Sequence, residues 1–419
     1  MLSRSTTRRV VAGLALAITA GVLAGCTDDG TGPAGDDTGA AGGAVPDVLS
    51  AYPKDNWNVT ISSVAFDQSD MRPMQEWYMD EVERRTGGAI MFHRTTNNEI
   101  CAQSDQYSCV QSGAAGLLVQ VPNYQPTVFT PSSLPEITFG GDNAAAITAA
   151  IDELGTTNAD VQAFWAGKGL VPVATWSVGR ILLGSKVPLD GLDDLTGLSM
   201  RTAGTIAAPD LAAAGVVPAQ VTADEAYNAL STGVVQAAAG AIDFAYALKL
   251  GEVLPYWVDP GLGVYSEFSM YWSKAQWDEF PADVQAVLED INETATSSGK
   301  WVDLWQDGYD SQPMDDGAPA HFLGAGDECT AIQAMPSVKS MTAWDASTVA
   351  AFEALGAKTD SGTTTNDALW VKNATAAGLT NAQGVLDQYE QLYAKYAAQF
   401  TDAKYATDPV TTCIQSFQR

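Results

Sequence analysis

Histidine is almost missing from this chain: His93 and His321 are the two copies in 419 residues. A Ser/His/Asp or Cys/His relay needs an imidazole beside its nucleophile, and two distant histidines give such a relay little to draw on. Zinc is poorly served too, because no pair of cysteines has CxxC spacing. There is no HExxH, no P-loop and no GxGxxG following a strand. Fifty acids make chance carboxylate pairs common, so pairing singles out no catalytic site. An enzyme is therefore not the expected class, and neither metal nor cofactor is expected. Basic residues are scarce as well: 21 Lys and Arg face 50 Asp and Glu, for a formal charge of −29. That balance excludes nucleic acid as a partner, since phosphate binding needs clustered cations. The acids are spread along the chain, as in a solubilising surface.

Long apolar runs are lacking beyond the first 25 residues, and those residues have a pattern of their own. Arg4, Arg8 and Arg9 precede the apolar stretch Val10 to Ile18, which is too short to span a bilayer stably. The stretch ends in Leu23-Ala24-Gly25-Cys26, which resembles the lipobox of bacterial lipoproteins. Residues 1–25 read as an export signal, and Cys26 reads as the lipid-bearing N-terminus of the mature chain. Residues 26–50 hold a Gly-, Ala-, Asp- and Thr-rich linker with almost nothing to bury, expected to act as a disordered tether. The expected location is the outer face of the cell membrane, held there by lipid. Of five cysteines, Cys26 is thus taken. Cys101, Cys109, Cys329 and Cys413 remain, an even number in an oxidising compartment. Three pairings are open, of which Cys101–Cys109 with Cys329–Cys413 is the simplest.

About 370 residues beyond the linker exceed what one core usually serves, so two lobes are expected. Strands are expected at 57–66, 89–93, 116–121, 171–176, 180–183 and 198–202, and helices at 74–85, 143–154 and 158–168. This alternation implies βαβ units and a mainly parallel sheet in each lobe. Pro281 opens a helical pattern reaching about Asp310, roughly 45 Å long at 1.5 Å per residue, enough to cross both lobes. A final helix is expected from Ala382 to Phe400. The 311–365 segment, rich in small residues, has no clear pattern.

Scarcity makes two basic residues informative. Arg180 begins an expected strand, and Arg201 ends another, Gly197-Leu198-Ser199-Met200-Arg201. Open α/β sheets bind ligands beyond the carboxyl ends of their strands, and a guanidinium there can grip a carboxylate with two parallel bonds. A structural salt bridge is the competing role in so acidic a chain. The surrounding stretch, Val187-Pro188-Leu189-Asp190-Gly191-Leu192-Asp193-Asp194-Leu195-Thr196-Gly197-Leu198-Ser199-Met200-Arg201-Thr202, resembles the P-x-x-x-x-x-D-L-x-G-x-x-x-R signature of DctP-like substrate-binding proteins. These serve tripartite ATP-independent periplasmic (TRAP) transporters. Glu225-Ala226-Tyr227-Asn228-Ala229-Leu230-Ser231-Thr232-Gly233 resembles the same family's E-x-Y-x-A-L-x-x-G. Leu250-Gly251-Glu252-Val253 and Trp277 to Gln285 follow in order, and Gly87-Gly88 and Leu134-Pro135 fit upstream.

The resemblance implies an α/β, two-lobed periplasmic-binding-protein-like fold with a ligand cleft between the lobes and a long helix crossing both. Lobe I is expected to comprise 57–176 and 267–306, and lobe II 177–266 and 307–419. The implied function is capture of a small organic carboxylate for TRAP membrane subunits. Arg201 would hold the carboxylate and Arg180 would be a second basic contact. Cleft-facing stretches would include Val64–Arg72 (with Asp67), Gln120–Tyr124, Trp176 and Gly240–Phe244 (with Asp243). One departure stands out. Many members continue D-G-x-x-N-P where this chain has Gln236-Ala237-Ala238-Ala239-Gly240-Ala241. Gly240 replaces a substrate-contacting Asn, which removes a polar contact and is expected to add space. The alternatives are a binding protein for another transporter or a sensor, and a secreted hydrolase using cleft acids.

Overall fold

The computed structural model describes residues 46–202, 207–263, 267–313 and 319–417. The leader, Cys26 and the linker up to residue 45 lie outside these. The first strand, β1 (Trp57–Ser63), alternates so that Val59 and Ile61 are fully buried. Helix α1 (Arg72–Arg85) has Pro73 in its first turn, where a missing N–H costs nothing. Strand β2 (Ile90–His93), helix α2 (Gln106–Gln111) and strand β3 (Leu117–Gln120) follow. Cys101 and Cys109 are bonded across the start of α2. Helices α3 (Ala144–Thr157) and α4 (Ala159–Lys168) are each capped by an asparagine, Asn143 and Asn158, whose side chain accepts a backbone N–H of the first turn. Strand β4 (Leu170–Ser177) then completes the outgoing part of the first lobe.

The chain crosses at 178–181 into β5 (Leu182–Ser185), β6 (Ser199–Thr202), α5 (Ala207–Ala213), β7 (Val217–Gln220), α6 (Ala223–Thr232), β8 (Ala237–Gly240), α7 (Ile242–Ala247) and β9 (Tyr256–Asp259). It returns as β10 (Glu267–Ser273), followed by the short α8 (Lys274–Trp277). The first sheet has the order β2-β1-β3-β10-β4. The second has the order β13-β9-β5-β8-β6-β7, its edge strand β13 (Ser340–Ala343) coming from the later part of the chain. Each sheet is mainly parallel, as the alternation implied, with one reversed strand, β10 in the first and β5 in the second. β10 runs antiparallel to β3 and β4, and β5 runs antiparallel to β8 and β9. Each of these strands has just arrived from the other lobe, and so enters its sheet against the βαβ direction.

The expected long helix is two helices. α9 (Ala282–Ser297) ends before Gly299, and α10 (Lys300–Asp307) begins after it. Gly299 has φ +73°, a left-handed conformation that ends a helix cheaply only at glycine. Beyond it a hairpin of β11 (Tyr309–Pro313) and β12 (Pro319–Phe322) lies on α1, with Tyr309 Oη donating to Asp80 at 2.9 Å. Helix α11 (Ala325–Ala334) packs on α7, α10 and the C-terminal helix Pro409–Ser416, to which the Cys329–Cys413 disulfide ties it. Both simplest cysteine pairings are therefore present. After helix α12 (Ala346–Glu353) and the two short strands β14 (Ala357–Thr359) and β15 (Gly362–Thr364), the chain turns back to the first lobe. Helix α13 (Asn366–Ala376) rests on the 130–136 segment, and α14 (Ala382–Ala397) packs along α3, with Val385, Leu386 and Tyr389 in a common core with Ile151, Leu154 and Tyr271. The expected placement of all of 307–419 in the second lobe is thus corrected for 309–322, which lies on α1, and for 366–397. The apolar face of α14 finds its partner on α3.

Candidate ligand-binding site

Arg201 is the penultimate residue of β6, the strand that runs parallel between β7 and β8, and is 1% exposed. Its Nε donates to the Val221 carbonyl at 3.0 Å and its Nη1 to the Ala239 carbonyl at 3.1 Å. These carbonyls fix the guanidinium plane, and the Asp243 carboxyl faces its charge. The Phe244 ring lies against one face, 4.2 Å from Arg201 Cζ to the centroid, a cation–π contact that is strong when desolvated. Tyr124, just past β3 of the first lobe, places its phenol in hydrogen-bonding reach of Arg201. Residues of both lobes therefore meet at this guanidinium.

Gly240 sits beneath that contact. A Cβ built there would collide with the Phe244 ring. The expectation that glycine adds room for ligand is corrected: the space is filled by Phe244, which glycine admits onto Arg201. Asp243, in the first turn of α7, is 3% exposed and accepts from Ser69 Oγ of the first lobe at 3.4 Å. Burial raises its carboxyl to about 6, against the pull of the Phe244 N–H, Ser69 and Arg201.

Asp67 is exposed, and its neighbours Ser69 and Asp70 are the buried members of that stretch. Asp70 accepts Trp305 Nε1 of α10 at 3.0 Å. Gln120, at the end of β3, is wholly buried, and neither of its amide atoms has a hydrogen-bond partner among the described residues. Trp176 is wholly buried and stacks on Trp301 of α10 at 5.9 Å between centroids. It belongs to the packing that joins β4 to the returning helix. Arg180 lies between the sheets with Asp142, Asp259 and Asp408 around it, at 3.5, 3.5 and 3.3 Å.

Thus the structure gathers Arg201, Gly240 and Asp243 at one place, holds Arg180 in an acidic cage, and leaves Asp67 on the surface. Sequence reasoning did not single out Tyr124, Phe244, Ser69 and Asp70, although each falls inside a stretch it marked as cleft-facing. Glu328 and Asp408, outside every motif, were not found at all. Their signal is absent from the sequence because the disulfide-tied helices bring them in from far along the chain. Among the described residues no cluster of three or more His, Cys, Asp and Glu side chains is arranged to hold a metal ion.

The chain is 25% identical over 245 residues to the C4-dicarboxylate-binding periplasmic protein DctP of Rhodobacter capsulatus, covering 57% of this chain and 72% of that protein. Among solved structures, a TRAP solute-binding protein of Rhodoferax ferrireducens in complex with copurified benzoate superposes with a TM-score of 0.67 at 19% identity, over 82% of this chain and 99% of that one. A TRAP periplasmic solute-binding protein of Bordetella bronchiseptica with bound mandelate gives 0.63 at 16% identity, over 81% and 99%. The two-sheet α/β architecture of this chain is the one these binding proteins share. The model of the bacterial extracellular solute-binding proteins, family 7, matches residues 67–306. With β3, β4, β6, β8 and the buried Arg201 all inside that span, more than half of the chain, the chain belongs to family 7 of the bacterial extracellular solute-binding proteins.

Proposed function

We propose that this protein is a lipid-anchored TRAP-type binding protein that captures an organic monocarboxylate with an apolar or aromatic body. It would hand this ligand to TRAP membrane subunits. The observation that carries the reading is Arg201: a guanidinium at a strand's carboxyl end, buried, oriented by two carbonyls and covered by an aromatic ring. A carboxylate delivered there forms its ion pair out of water, where the fork geometry of Arg is most effective. The second basic residue, Arg180, already faces three carboxylates. A ligand with a second carboxylate would bring another negative charge to that acidic surrounding. Phe244 and Tyr124 supply apolar surface beside the guanidinium instead. The benzoate and mandelate complexes of the structural relatives are of this chemistry.

Native mass spectrometry of the purified protein, with a thermal-shift screen of benzoate, mandelate and succinate, tests the proposal. A ligand bound only to the folded state raises its melting temperature. The expected outcome is a shift with the aromatic monocarboxylates that Arg201→Ala removes. A larger shift with succinate would overturn the monocarboxylate reading, and release of a non-acidic ligand would overturn the carboxylate reading altogether.

A further inference from the structure

Behind Arg201 the two lobes meet through carboxyl groups. Asp70 comes from the first lobe, between β1 and α1, and is 0% exposed. Asp243 comes from α7 of the second lobe. Glu328, also 0% exposed, comes from α11, and neither of its carboxyl oxygens meets a side-chain donor among the described residues. One oxygen of Asp70 has no hydrogen-bond partner there either, the other being held by Trp305. Ser69 Oγ, 3.4 Å from Asp243, bridges the lobes at this point.

The charged groups around the cluster do not balance it. Arg201 faces Asp243 from β6, but two of its donors are bound to carbonyls. Asp408, the N-cap of the C-terminal helix, faces Asp70 and adds a further acid. Arg180 stands next to Asp408, yet shares its charge with Asp259 and Asp142. Tyr124 is a neutral neighbour of Asp243 and Arg201. Three carboxylates packed together, of which Asp243 has Arg201 beside it and Asp70 accepts the Trp305 N–H, cannot all remain ionised in a site shut off from water.

Two of the acids are contributed by chain outside the family match. That match ends at residue 306, whereas Glu328 and Asp408 sit on the helices joined by Cys329–Cys413. Helix α11 rests on both α7 and α10, so the disulfide clamp seats Glu328 against Asp243 and Asp70.

We propose that closing the lobes takes up a proton from solvent at the Asp70–Asp243–Glu328 cluster, and that Glu328, seated by the disulfide clamp, makes the closed form acid-favoured. The proton forms an O–H bond on one carboxylate as the lobes meet, and it leaves to water when they part. Burial, then the mutual repulsion of Asp70, Asp243 and Glu328, holds the carboxyls of Asp70 and Glu328 well above their ordinary range in the closed arrangement. Opened and hydrated, they would return towards that range. The closed form therefore binds more protons, and closure weakens as pH rises, by about tenfold per pH unit for each proton taken up. This regulates the cleft of the proposed function and takes its purpose from that reading. Its test needs no ligand, so the two can fail separately.

Hydrogen exchange of the purified full chain, corrected for the intrinsic pH dependence of exchange, is followed from about pH 5 to about pH 8 in peptides spanning 66–74 and 242–248. The first belongs to the first lobe and the second to α7 of the second lobe, and Ser69 and Asp243 join them. In the unsubstituted protein, protection of both should fall together as pH rises. Glu328→Gln, a neutral replacement of nearly equal shape, should keep protection high at the alkaline end and flatten the slope. Asp70→Asn should act in the same direction, and it carries the test if circular dichroism shows that Glu328→Gln does not fold. A flat profile in the unsubstituted protein, or an unchanged slope in the folded variants, overturns the proposal.

Discussion

At the scale of single residues, Arg201 concentrates the argument. Its ion pair with a ligand carboxylate would be desolvated, and removing one partner of such a pair costs roughly 3–5 kcal/mol. Arg201→Ala should therefore weaken binding of the ligand identified by mass spectrometry by several hundred-fold or more, at about tenfold per 1.4 kcal/mol. Arg201→Lys should lose most of that affinity as well, because an ammonium cannot satisfy the Val221 carbonyl, the Ala239 carbonyl and a ligand in one plane. Calorimetry on the folded variants measures both. Gly240→Ala should push Phe244 off the guanidinium, at an overpacking cost of about 1–3 kcal/mol read by denaturant unfolding. Asp152 gives a separate pH prediction. It joins α3 to the edge strand β4 and to α9, accepting the Thr175 N–H at 3.0 Å and the Thr296 hydroxyl at 2.7 Å, and burial raises it to about 7. Since the folded value lies above the unfolded one, its contribution is fully present in acid and is lost as pH rises towards and through 7. Asp152→Asn, which keeps a neutral side chain at every pH, should gain stability over the unsubstituted protein from pH 5 to pH 8, by up to about 1.4 kcal/mol per pH unit. Parallel pH profiles of the two would refute it.

At the scale of elements, the legible parts were those whose periodicity carries its own partner. β1, β3, α3 and α4 fall where apolar alternation or helical spacing puts them, since each buries one face against a near neighbour in sequence. The helix from Pro281 reads as continuous because its apolar spacing persists across the break, yet Gly299 turns the backbone left-handed and splits it. In the site, Arg201 was legible because a strand end, a motif and a scarcity of cations coincide. Glu328 was not, because its proximity to Asp70 depends on tertiary packing and on a bond between residues 84 positions apart. That bond supports a stability prediction. A crosslink that closes a longer loop removes more freedom from the unfolded chain, typically contributing about 2–4 kcal/mol. Replacing Cys329 and Cys413 by Ser should therefore cost more than replacing Cys101 and Cys109, whose loop spans 8 positions. Denaturant unfolding of the two double variants gives the ranking, and equal costs would point to strain or residual structure rather than loop length.

At the scale of the whole molecule, charge and tether act together. With a formal charge of −29 over the full chain, the protein gains nothing from an anionic lipid surface and is repelled by it. No described helix is long and apolar enough to cross a membrane. The proposed attachment lies in the segment before residue 46, where Cys26 follows Leu23-Ala24-Gly25. A single acyl chain binds membranes only marginally, whereas two or more act as a stable anchor, and a diacylglycerol thioether supplies at least two. Cys26→Ser should therefore move the protein from the membrane to the soluble fraction, with ligand binding and the pH response of the cleft unchanged. Fractionation at low and high salt checks this. Retention on membranes at both salts would show that attachment resides in the folded body, and would replace the lipid tether with a direct contact to a membrane protein.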